Sequence, residues 1–451
     1  MTMLRLYITF LVLGKSNSGL LPSVPTPTST SVINTSTSEF LGDTRRIIRG
    51  HEIYDTRPYM VYLRPTQSHS DMVDRFWLCG GVIVHESYIL TSAACIEDIK
   101  FFWVVSGTHK WYPESKSSKC IENGALRAVW KCVHKTYRFD GNVFNNIRWM
   151  VNDIAVVMTE APFSFTRRVK GCDFIPNKIQ YNNISKDFEN PGTSGFIAGW
   201  GSKDRFTDAT DVIAQKSVNS HILMEVETLI ITKENCKNRW LNRYHAIIDD
   251  YMFCGKQAAS SKMTPTCVED HIACRQLLYS EEDGPRIRRF DGDLYELIRN
   301  SAAEMRKRKK ARRKTRRTED DTRTHFGGFC ENDHGGPFVT GRGQSSMVIG
   351  IMSSYKVENN SKRCHGPFLY TSVFNNRHLI HCAIYKEDAD DCTSVLRDDS
   401  SVLEEETFDW GNASFSRSKT IYEGDEEEEK RSHEDPSEEG TPQETLPHDS
   451  T

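Results

Sequence analysis

The chain has 451 residues, 37% of them hydrophobic and 27% charged, with a formal net charge of −4. That length supports a substantial core, while the composition leaves part of the chain outside it. The near-balance of charge combines a basic block near residue 310 with an acidic C-terminus, so a uniformly basic nucleic-acid binder is excluded and nucleic acid is not an expected partner.

Met1 to Gly19 reads as a secretory signal peptide: Arg5, a short apolar stretch from Leu6 to Leu13, then small and polar residues. The apolar stretch is too short for a membrane span, and no later run reaches the ~18 apolar residues that one needs. Thirteen cysteines, none before Cys79, suit a disulfide-bonded, secreted, extracellular protein. Asn34, Asn183, Asn359 and Asn412 open N-x-Ser/Thr sequons, consistent with a glycoprotein. Residues 20–46 are rich in Ser, Thr and Pro and read as a linker or pro-segment ending at Arg45-Arg46, followed by Ile47-Ile48.

From Phe76 onward short apolar runs rich in β-branched and aromatic residues alternate with Gly, Asn and Pro, the pattern of an all-β domain. Six ordered segments stand out. They are Ile47-Ile48; Cys79-Gly80-Gly81 leading to Thr91-Ser92-Ala93-Ala94-Cys95; Asn152-Asp153-Ile154-Ala155; Gly199-Trp200-Gly201; Cys330-Glu331-Asn332-Asp333-His334-Gly335-Gly336-Pro337; and Gly366-Pro367-Phe368-Leu369-Tyr370-Thr371. Together they resemble the landmarks of chymotrypsin-like (trypsin-fold, peptidase S1) serine proteases. The resemblance covers residues 47–388, interrupted by an insertion at about 256–328. It implies two antiparallel Greek-key β-barrels with a C-terminal helix, and bridges Cys79–Cys95, Cys236–Cys254 and Cys330–Cys364.

The same resemblance assigns the triad positions, and here they are Ala94, Asp153 and His334. An alanine has no lone pair with which to act as a general base. Losing base and nucleophile together removes a unit whose members act only in concert. The expectation is therefore a catalytically inactive serine protease homologue, with Asp153 bonded to nearby backbone and His334 filling the vacated cleft. The alternative is an active serine-type endopeptidase with a rearranged site. Arg46, Ile47 and Asp333 match the activation junction and the carboxylate that receives its new amine. Gly328, Asn332, Ser353, Ser354, Tyr355 and Gly366 stand at the pocket and oxyanion positions, where Gly328 replaces an acidic pocket base and Asn332 a glycine. No cofactor and no metal are expected.

Within the insertion, Asp291 or Asp293 could cap a helix running into the basic arm of residues 306–317. That arm reads as a solvated charge run, a processing site, or a site for a heparin-like polyanion or acidic partner, the chain's own tail included. Seven cysteines remain. Local pairs Cys120–Cys132, Cys267–Cys274 and Cys382–Cys392 would leave Cys172 over, or Cys172 could reach Cys382. Residues 389–451 turn acidic and are expected to be disordered. The expected partner is an extracellular protein, whether a protease, a substrate-like protein or a receptor, in a process such as an immune or reproductive proteolytic cascade.

Overall fold

The computed structural model describes residues 51–52, 57–66, 79–97, 99, 101–112, 116–139, 150–202, 219–257, 275–280, 284–289, 328–330, 333–341, 343–358, 364–385, 403–412 and 420–425. Residues 1–50, including Arg46 and Ile47, lie outside these, as do Asn332, Cys267, Cys274, Cys392, the helix expected after Asp291 and the basic arm.

The first barrel is built from β1 (Met60–Pro65), β2 (Cys79–Ile83), β3 (Tyr88–Thr91), β4 (Phe102–Val105), β5 (Leu126–His134) and β6 (Ala155–Thr159). Its strand order is β5-β4-β1-β2-β3-β6, and β5 pairs with β6 to close the ring. The second barrel comprises β7 (Ser194–Gly199), β8 (Met224–Ile231), β9 (Met252–Gln257), β10 (Pro337–Thr340), β11 (Met347–Val357) and β12 (Cys364–Ser372). It runs β8-β7-β10-β11-β12-β9 and closes through β8 and β9, every pairing antiparallel. Closure removes the free edges that would otherwise template association. This is the expected all-β, two-barrel chymotrypsin-like class.

Short helices cover the ends. Ser118 caps α1 (Lys119–Gly124) and Thr232 caps α2 (Lys233–Lys237), each side-chain oxygen accepting a first-turn N–H. After α3 (His245–Tyr251) the chain enters β9, and α4 (Arg377–Ile384) turns Leu379, Ile380, Ala383 and Ile384 onto the core. Between the barrels Trp200 is fully buried, packs edge-on to Tyr62 at 5.3 Å and donates its indole N–H to the His109 carbonyl at 2.6 Å. A two-residue strand at His51–Glu52 pairs with Glu225 and Met224 of β8. Arg57 then forks onto the Glu225 carboxylate at 2.5 and 2.8 Å. The chain thus enters along the second barrel before building the first.

Cys79–Cys95, Cys236–Cys254 and Cys330–Cys364 are bridged. The local pairing of Cys120 with Cys132 is corrected: Cys120 in α1 is bridged to Cys172, which disposes of a leftover Cys172 or a Cys172–Cys382 bridge. Cys132 lies within β5, paired on one side with β6, whereas Cys120 and Cys172 both pack beside the Ser106 carbonyl. Cys382 is also disulfide-bonded, to a partner outside the described residues. Within the insertion, Arg275–Ser280 and Gly284–Arg289 form an antiparallel hairpin.

The expectation of a disordered acidic tail is overturned for residues 403–412 and 420–425. β13 (Leu403–Thr407) pairs antiparallel with β5 on the side that β6 leaves open. Glu405 accepts the Trp130 indole N–H at 3.0 Å and Glu406 meets the Lys131 ammonium at 2.9 Å. Leu403, Phe408 and Trp410 are buried. Trp410 lies between Phe101 and Trp103, with the Arg127 guanidinium 5.0 Å from its ring, and donates to the Ala128 carbonyl at 2.7 Å. Three apolar side chains and two paired carboxylates offset the ordering cost that composition alone would leave unmet.

Candidate functional site

Both halves of the site converge where the barrels meet. β3 ends at Thr91, and Ser92 leads into the short turn Ala93–Cys95, which the Cys79–Cys95 bridge fixes. From the second barrel, the loop Asp333–Gly336 docks against that turn. The His334 carbonyl accepts the Gly80 N–H at 2.8 Å, and Gly335 donates to Met352 at 3.0 Å. Gly335 has φ +79°, and a Cβ there would run into Thr91 and the Gly80 carbonyl. Glycine is required here by backbone conformation and by close approach together.

Asp153 is fully buried beneath the turn. Its Oδ1 accepts the Ser92 hydroxyl and the Ala94 N–H, the latter at 2.9 Å, and Oδ2 accepts the Ser353 hydroxyl at 2.7 Å. Burial pushes its carboxyl pKa up, opposed by these donors and by the Ala93 N–H. A carboxylate in this family position would orient an imidazole; at position 94 there is a methyl group. Two serines and two backbone N–H groups hold Asp153 as a structural anchor between the barrels. Ser92 was not singled out from sequence, although a hydroxyl two residues before position 94 was a readable signal.

His334 is buried, its ring 5.4 Å from the Tyr355 ring and 6.4 Å from Phe329. Phe329 in turn contacts Tyr355, Phe368 and Tyr370 at centroid distances of 5.7, 5.1 and 5.5 Å. Gly328 leaves room for that packing: a Cβ there would land on the Phe368 ring. Gly366 also abuts Phe368. Ser353 and Ser354 are fully buried in β11. The space that the resemblance assigns to a substrate side chain is thus lined with Phe329, Tyr355, Phe368 and His334. Phe329 and Phe368 carry this filling and were not predicted, because only the folded loop brings residues 39 positions apart onto each other.

Asp333 is buried and accepts the Gly201 N–H at 2.7 Å and the Cys330 N–H at 3.1 Å. Desolvation raises its pKa from 3.8 to about 7, partly opposed by those two bonds. Its Oδ1 abuts Gly199, whose register neighbour Met224 pairs with Glu52.

Among the described residues no cluster of His, Cys, Asp or Glu could hold a metal ion, and no helix is long and apolar enough to cross a membrane.

The Trypsin family model matches residues 47–264. The chain is similar to granzyme B(G,H) of Mus musculus, 26% identical over 201 residues, covering 44% of this chain and 66% of that protein. It is similar to granzyme M of Rattus norvegicus, 25% identical over 220 residues, covering 48% and 69%. Trypsin epsilon of Drosophila erecta is 26% identical over 210 residues, covering 46% and 66%. The chain thus spans about two thirds of the length of these relatives. A solved HL collagenase structure aligns with a TM-score of 0.42 at 17% identity, over 75% of this chain and 98% of its own.

Proposed function

Starting from a trypsin-like serine protease domain, we propose that this chain is a secreted homologue without peptidase activity. It acts by binding an extracellular protein, as a cofactor or decoy in a proteolytic process of the immune or reproductive kind. The observation that carries the reading is the environment of Asp153. Its carboxylate is engaged by Ser92, Ala94 N–H and Ser353 with no imidazole at position 94, while His334 stands at the nucleophile position against Phe329 and Tyr355. Without a base to take its proton, an attacking group stays weak. The test is a fluorophosphonate probe applied to protein cut after Arg46. No labelling is expected; labelling that survives blocking of cysteines would establish the active alternative.

The position of Asp333 supports a second element. Cleavage after Arg46 would release the Ile47 amine to a buried carboxylate that accepts only two backbone N–H groups among the described residues. The pairing would order a binding surface rather than a catalytic centre. Protein beginning at Ile47 should then differ from uncut protein in loop protease sensitivity and partner affinity, and equality in both would refute the switch. The run Arg306–Arg317 further supports a heparin-like polyanion as ligand, since dense like charge gives salt-sensitive affinity without sequence specificity. Deleting it should abolish heparin retention.

A further inference from the structure

The tail is held at two places of different character. Leu403–Trp410 is an anchor sunk into the first barrel, whereas Thr420–Asp425 is a latch on its surface. The latch runs beside residues 167–170: Lys170 donates to the Ile421 carbonyl at 3.0 Å, Glu423 donates to the Arg168 carbonyl at 3.0 Å, and Ile421 donates to Asn123 at 3.2 Å. Tyr422 makes an antiparallel bridge with Val169. Its ring lies under the Arg167 guanidinium, 4.3 Å from the centroid. Arg167 also pairs with Asp425, and Arg168 with Glu423 at 2.8 Å. These ion pairs are 35–50% exposed, so each adds little to holding the latch.

Tyr422 combines three properties. It is followed by Glu423, Asp425 and the run Glu426–Glu429; it is partly exposed; and its ring lies against Arg167 in a segment that also carries Arg168 and Lys170. Sulfuryl transfer to tyrosine in the secretory route favours accessible, acid-flanked tyrosines, because the transferase must hold the peptide on a basic surface beside an anionic donor. We propose that Tyr422 is a tyrosine O-sulfation site, and that the sulfate ester fastens the latch to the strip Arg167–Lys170. This rests on the secretory reading above. The phenol oxygen attacks the sulfur of a nucleotide phosphosulfate. The new S–O bond forms as the S–O bond to the donor phosphate breaks, the nucleotide leaves with that electron pair, and the phenolic proton passes to the transferase. No atom changes oxidation state. The product carries a fixed negative charge at every physiological pH, beside guanidinium groups that pair well with such oxyanions.

The test uses the full chain expressed in secretory cells with and without chlorate, which starves the cell of the sulfuryl donor. Trypsin releases Thr420–Lys430, a peptide with one tyrosine. Expected is a chlorate-sensitive group on Tyr422 that leaves as neutral SO3 in collisional mass spectrometry. An unmodified peptide from secreted protein, or a phosphatase-sensitive one, would overturn the proposal. Retention of the chain in the cell would sink the secretory reading alone; purified chain given a tyrosylprotein sulfotransferase and its donor would then decide whether Tyr422 accepts. For the fastening, native trypsin should release this peptide about three- to fivefold more slowly from sulfated than from unsulfated protein. Tyr422→Phe, which keeps the ring against Arg167, should behave as unsulfated. Equal release from all three would refute the fastening.

Discussion

Replacing Asp333 by Asn in the uncut chain isolates one buried charge. Asp333 is fully buried, and desolvation raises its pKa from 3.8 to about 7. A carboxyl whose folded pKa lies above its unfolded value is bound to more protons in the native state. Stability therefore falls as pH rises from about 4 to about 7 and is flat beyond that. A rise of that size corresponds to about 4 kcal/mol lost across the window. Glu189 shifts the same way, to about 7, through burial opposed by Ser372 and the Phe374 N–H. It is present in both proteins, so the difference between their pH slopes reports Asp333. Urea unfolding at about pH 4 and about pH 8 should show the wild type losing several kcal/mol more than Asp333→Asn. The amide loses one backbone bond, which lowers its stability at both pH values without changing the slope. In protein beginning at Ile47, an amine beside the carboxylate favours its charged form, and the wild-type slope should shrink. Equal slopes in wild type and Asp333→Asn would refute the reasoning.

Asp153→Ala should destabilise by about 3 kcal/mol, because the Ser92 and Ser353 hydroxyls and the Ala94 N–H lose a buried acceptor. Urea unfolding reads the loss, and probe labelling should stay absent. Trp410→Ala should cost about 3 kcal/mol by vacating the site between Phe101 and Trp103. A shift of less than about 0.5 kcal/mol in urea unfolding would mean that the tail merely rests on the barrel. Restoring histidine and serine together, Ala94→His with His334→Ser, should allow fluorophosphonate labelling but not cleavage of arginine or lysine esters. Phe368 occupies the space at Gly328 where a basic side chain would need an acidic partner, and brisk ester hydrolysis would contradict that account.

What could be read from sequence and what could not divides along physical lines. The barrels announce themselves because their strands are short, apolar and separated by turn residues, and because cysteine steps such as Cys79 to Cys95 are local. Cys120 misleads for the same reason. The nearer Cys132 is an attractive partner by spacing, yet it sits inside β5 while α1 stands beside Cys172. The tail misleads through its average: Leu403-Glu-Glu-Glu-Thr is acidic and poor in strand formers. The usable signal lay in its exceptions, Leu403, Phe408 and Trp410, apolar residues with no reason to persist in a solvated segment. At the site, the alanine at position 94, where the resemblance expects a base, is legible from one letter. The aromatic filling is not, since Phe329 and Phe368 meet only after the loop closes onto β12.

The loop at residues 333–336 shows why some positions in it are tightly constrained and another is not. Gly335 needs positive φ and has no room for a Cβ, and a Cβ on Gly336 would strike Met352. Asp333 accepts two buried N–H groups that would otherwise be orphaned. All three are constrained by backbone geometry and burial, whatever chemistry the cleft performs. His334 contributes to the loop's architecture through its carbonyl, bonded to Gly80, and any residue supplies a carbonyl. Its side chain is set by what it packs against, and here its ring lies beside Phe329 and Tyr355. Architecture and chemistry are therefore separable within four residues.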